Sequence, residues 1–82
     1  MRIDRKPTHV EARRDDVRIR VAPDDRAPKL GCMYRRDRVT WQGERVKRRR
    51  VTWYRVIYND GQGWVSGRYS KLVTSETGGG ER

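Results

Sequence analysis

From Asp16 to Val21 the chain reads Asp-Val-Arg-Ile-Arg-Val, a strict alternation of polar and apolar residues, which is the period of a strand with one buried face. Residues 22–28 break it with two prolines and the acidic pair Asp24-Asp25, a loop by composition. Strands are predicted next over 30–36 and 38–44. Val39-Thr40-Trp41 then recurs as Val51-Thr52-Trp53, both β-favouring, with the charged stretch 45–50 between them, so the two copies form the arms of a hairpin. A loop centred on Lys47 and Arg48 places Trp41 opposite Tyr54 and Val39 opposite Val56, with Tyr58 completing one apolar face. Thr40, Gln42, Trp53, Arg55 and Ile57 then line the other side as a mixed, partly wet surface. A slip of one residue would bury Arg55, and the pattern therefore resists it.

Asn59-Asp60-Gly61 follows directly and predicts a tight turn, because these residues tolerate positive φ. The chain returns through a strand over 63–66, a short turn over 67–70, and a last strand over 71–74. No window carries a helical apolar stripe. Residues 1–14 mix charges with Pro7, and residues 75–82 read Ser-Glu-Thr-Gly-Gly-Gly-Glu-Arg; both are expected to be flexible tails. The domain is thus placed at 15–74, an all-β unit of five short strands, and at that length a small barrel is the expected form.

The order of these pieces resembles a bacterial SH3-like domain. The resemblance runs through Val17-Arg18-Ile19-Arg20, Ala22-Pro23, Leu30-Gly31, Val39-Thr40, and Trp53-Tyr54-Arg55-Val56 with Tyr58-Asn59. It is most specific at the end, where Gly63-Trp64-Val65-Ser66 is followed by Tyr69 and Lys71-Leu72-Val73. The likeness covers about residues 16 to 74. It implies a bent five-stranded barrel, without catalysis, that binds peptides or bacterial cell-wall material through loops and exposed aromatics. Two positions depart from the family pattern. Asp37 stands where the family commonly has a turn glycine, and would adopt the left-handed conformation itself. The hairpin between Glu44 and Trp53 is longer than usual and carries Arg45, Lys47, Arg48, Arg49 and Arg50.

Composition narrows the function. Val, Ile and Leu together number only fourteen in 82 residues and Phe is absent, so the three Trp and four Tyr, all between Tyr34 and Tyr69, must supply much of the core. The net charge is +10, with seventeen Arg and four Lys, and most of it belongs to residues 15–74. The longest apolar run is three residues, far short of a membrane span or signal-peptide core, so no membrane partner is expected and a cytoplasmic location is. One Cys and one His fall short of the usual four zinc ligands. Cys32 has no nearby base and reads as a small, partly buried hydrophobe. The acidic pairs Asp15-Asp16 and Asp24-Asp25 read as turn-stabilising residues. No enzyme, metal or cofactor is expected.

Two binding surfaces remain. In the resemblance, the groove lies between the 22–30 loop and the basic hairpin, with Trp64 and Tyr69 beside it, and the face assignment adds Trp53, with Asp24 and Asp25 of the loop; exposed aromatics near polar loops suit a protein or peptide ligand, including an acidic one, with cell-wall peptide as the inherited variant. An adaptor, or an inhibitor of a larger partner, fits this size. The alternative is a nucleic-acid-binding protein that uses the basic patch Arg45, Lys47, Arg48, Arg49 and Arg50, with Trp41, Trp53 and Tyr34 offering faces to bases. The oligomeric state is left open.

Overall fold

The computed structural model describes residues 6–74, and these form seven strands: β1 His9–Ala12, β2 Val17–Arg20, β3 Lys29–Met33, β4 Arg38–Arg48, β5 Val51–Tyr58, β6 Gly61–Ser66 and β7 Ser70–Val73. All pairings are antiparallel, in the order β3-β2-β6-β5-β4-β1-β7. The strand count thus exceeds the five expected, while the all-β class stands. Val10, Ala12, Val17, Ile19, Met33, Val56 and Val65 form one buried cluster, with Leu72 packed against it. Met33 and Leu72 lie on the two terminal strands of the sheet, so a shared core requires the sheet to roll onto itself.

Residues 9–12 are not a tail: β1 lies between β4 and β7, and Val10 and Ala12 are among the least exposed residues of the chain, at 0% and 1%. Its alternation places Val10 and Ala12 inward and His9 and Glu11 outward. Glu11 is flanked by its register partners, Arg38 at 2.8 Å on β4 and Lys71 at 3.8 Å on β7. The chain then crosses to β2, and the backbone of Ala12 exchanges hydrogen bonds with the turn ahead of β4, donating to Asp37 O and accepting from Arg36 N. In that turn Arg36, not Asp37, takes the left-handed conformation, with φ 76°. Asp37 instead accepts a hydrogen bond at Oδ2 from Tyr34 N, a role open to a short carboxylate and closed to glycine. The segment 75–82 lies outside the described residues.

The long hairpin keeps its expected face in a different register. Trp41 pairs with Val56, whereas Arg45 pairs with Tyr54; three residues of β4, Gln42 to Glu44, therefore span the single Arg55 of β5. Gly43 at φ 89° makes this bulge possible, and Trp41 Nε1 closes it by donating to Glu44 O at 3.0 Å. Because the registers differ by two residues, side-chain parity is preserved. Val39, Trp41, Tyr54, Val56 and Tyr58 all meet the core, and Trp41 sets its ring edge-on to Tyr54 at 6.3 Å.

Strand pairing also continues through much of the charged stretch, to Arg48 opposite Val51. The reversal is the two-residue turn Arg49-Arg50, with φ 54° and 69°. The second hairpin turns in the same way through Asn59-Asp60, at φ 49° and 61°. Asn and Asp accept that conformation, but an arginine held there loses about 1–2 kcal/mol. Arg49→Asn with Arg50→Gly is therefore expected to stabilise the fold by about 1–2 kcal/mol and to raise Tm by several degrees in calorimetry. An unchanged or lower Tm would show that the two arginines are not strained.

A groove between the proline-bounded loop and the basic hairpin

The loop that connects β2 to β3 is held in shape before any ligand arrives. Val21 N donates to Pro28 O, and Ala27 N to Asp24 O. Asp24 Oδ1 accepts from Arg26 N at 2.9 Å, which is the turn-stabilising role expected of it. Arg20, projecting from β2, ties the whole loop down through Nη1 to Ala27 O at 2.8 Å. A loop fixed in this way gives up little conformational entropy on binding.

Opposite the loop stands the end of the β4–β5 hairpin. Between them opens a cavity of about 410 Å³, with Pro23, Asp24, Asp25 and Arg26 on one wall, Arg48, Arg49 and Val51 on the other, Trp53 in the floor and Arg68 at one end. Arg26, Arg48, Arg49 and Arg68 share this lining with Asp24 and Asp25. A smaller cavity of about 220 Å³ continues it, sharing Asp25 and Trp53 and reaching Arg14, Arg18 and Tyr69.

Several of the expected site residues meet here, in altered roles. Asp24, Asp25, Trp53, Arg48 and Arg49 line the larger cavity, and Tyr69 the smaller. Trp53, expected on a partly wet face, is only 2% exposed. It does point away from the main core, as its pairing with Ser66 and Val46 requires, but this end of the outer face is roofed by the loop and buries Val51 with it. Trp53 thus forms the floor of the cavity and offers no open ring. Tyr69 is covered by the Arg14 guanidinium, 3.6 Å from its ring centroid. Trp64 lines neither cavity. It lies farther along the same sheet face, opposite Arg20 on β2 and Arg55 on β5, with the Arg55 guanidinium 5.6 Å above it.

Arg68, Arg26 and Arg14 were not expected in the site. Arg68 and Arg14 arrive on the turn between β6 and β7 and on the β1–β2 crossing, which reach the groove only in the folded chain, whereas Arg26 lies in the loop already expected as a wall of the groove. Arg55 binds Glu44 Oε1 at 2.7 Å and also Gln62 Oε1, with its Nε buried and unpartnered. Arg45, Lys47 and Arg50 of the basic patch do not line the groove. Tyr34, 58% exposed, sits in the β3–β4 turn, and Trp41 is committed to the core, so neither joins the hairpin tip as a stacking surface. Cys32 Sγ donates weakly to Asp16 Oδ1 at 3.2 Å. Among the described residues no three His, Cys, Asp or Glu side chains come together as a metal site.

The model of the bacterial SH3 domain family matches residues 15–71, the span from the start of β2 into β7. No curated protein and no solved structure matches the chain. The order of the strands, the loop-flanked groove and a family match over more than half the sequence agree: this chain belongs to the bacterial SH3 domain family.

Proposed function

We propose that this protein is a non-catalytic binding module that takes an extended, carboxylate-bearing peptide in the groove between the 21–28 loop and the β4–β5 hairpin. The observation that carries the reading is the groove itself: a hydrogen-bonded loop, an aromatic floor, and Arg26, Arg48, Arg49 and Arg68 converging on one cavity. Guanidinium groups bind carboxylates through paired donors, which fixes orientation as well as affinity. Asp24 and Asp25 select against a uniformly acidic ligand and favour one that also presents an amine. Cell-wall peptides carry both groups, and they match the ligand class associated with the family.

The test is chemical-shift mapping of the labelled protein with soluble cell-wall peptide and with a mixed-charge peptide from another source. Perturbations are expected at residues 23–26, 48–51 and 68. The double variant Arg26→Ser with Arg68→Ser should bind about tenfold more weakly, equivalent to about 1.4 kcal/mol. Shifts that avoid the groove, or a double variant that binds as the parent does, would remove this reading.

A further inference from the structure

The hairpin that walls the groove has a second side that the peptide reading does not use. Arg45 pairs with Tyr54 and Lys47 with Thr52, so these four project together, while Arg48 and Val51 project with Trp53 toward the groove. Arg45, Val46, Lys47, Thr52 and Tyr54 line a shallow cavity there. Beyond them the tip carries Arg50. Arg45, Lys47 and Arg50 are exposed, and none has an ion pair among the described residues.

The backbone makes this a stronger observation than a charge run. Among the described residues two turns have two consecutive residues at positive φ; one is filled by Asn59-Asp60, which suits that geometry, and the other by Arg49-Arg50, which does not. The tip therefore holds its cations in a conformation they do not favour. Strain at an exposed, charged tip is a pointer to function, read in that direction only.

We infer that the β4–β5 ribbon is a second binding site, for the phosphate backbone of duplex nucleic acid, with the tip entering the major groove. A two-stranded ribbon is one of the few elements that fit a groove about 12 Å wide. Residues two apart on one face of a strand, as Arg45 and Lys47 are, stand about 7 Å apart, close to the separation of successive phosphates along one nucleic-acid strand. Two of the three cations on this side, Arg45 and Arg50, are arginine, which grips phosphate through two donors at once. An acidic protein surface offers no such regular spacing.

The experiment is anisotropy of a labelled duplex titrated with the full chain from about 50 to about 200 mM salt. With the three cations of this side engaged, affinity falls about 40-fold across that range, at a log–log slope of about −2.7. The variant Arg45→Ser/Lys47→Ser/Arg50→Ser leaves the groove arginines in place and should reduce the slope by about 2.7. A second variant, Arg49→Asn with Arg50→Gly, is expected to melt higher yet to bind duplex more weakly, which separates lost binding from lost folding. A parent slope shallower than about −1, or a triple variant that binds as the parent does, would overturn the inference. So would a labelled polyglutamate that binds as tightly as the duplex and loses the same affinity in the triple variant. Peptide binding in the groove is read separately, through Arg26 and Arg68, so either result stands without the other.

Discussion

Trp53→Ala is expected to lose about 3–5 kcal/mol of stability and to leave the protein largely unfolded at physiological temperature. The residue is 2% exposed, and with Val51 it is the buried part of the outer face at the groove end. Truncating it removes the floor beneath the 21–28 loop and opens the space between loop and hairpin. A domain of this size has a total stability near the lower end of about 5–15 kcal/mol, so one such cavity consumes most of it. Urea or thermal unfolding followed by far-ultraviolet circular dichroism measures the loss. A cost below about 1 kcal/mol would mean that the ring is dispensable to packing and free to act as a ligand contact. Under the large cost, lost binding in this variant reports lost folding, and groove binding must be tested through Arg26 and Arg68.

The second large effect is at the other end of the chain. A protein beginning at residue 15, which retains the whole family-matched span, is expected to show no cooperative unfolding transition. Residues 9–12 bridge β4 and β7 by hydrogen bonds on both sides and bring Val10 and Ala12 into the core. Without them β7 loses its pairing strand, β4 gains an open edge, and Val56 and Leu72 lose neighbours. Val10→Asp in the full chain should act similarly, since an unpaired charge at a fully buried position costs several kcal/mol. Nuclear magnetic resonance dispersion and thermal melts decide the matter. A truncated chain that melts cooperatively near the temperature of the full one would show β1 to be an accessory to a self-sufficient barrel.

Sequence patterning suffices on the β4–β5 face and falls short at β1 and at Trp53. The β4–β5 face was readable because alternation depends only on parity, and the bulge at Gly43 shifted the register by two without turning any side chain over. The glycine within a strand pattern was itself the sign of that bulge. The Asn59-Asp60 turn was readable from residue chemistry alone. β1 was not, because His9–Ala12 has only two apolar positions and both its partners are distant in sequence, at Arg38 to Thr40 and at Ser70 to Val73. A four-residue strand among charges has no local signal; its stability is wholly tertiary. Trp53 failed for a related reason. Its face was assigned correctly, but burial on that face depends on a loop 25 to 32 positions earlier folding over it, and periodicity does not encode that cover. The groove's Arg68 was hidden in the same way, whereas Arg26 lies within the loop that the sequence already placed beside the groove.

The pairing of β1 with β7 also determines how the domain responds to being pulled. His9, at the start of the first strand, lies opposite Val73, at the end of the last, and the two strands run antiparallel. Tension applied through both chain ends therefore loads one rung of this ladder at a time, from His9–Val73 inward, and never shears the four rungs together. If the module is tethered at both ends, it yields first at the seam between β1 and β7, and because the remaining strands depend on β1, the loss of this ladder releases the loop and the hairpin from each other as well.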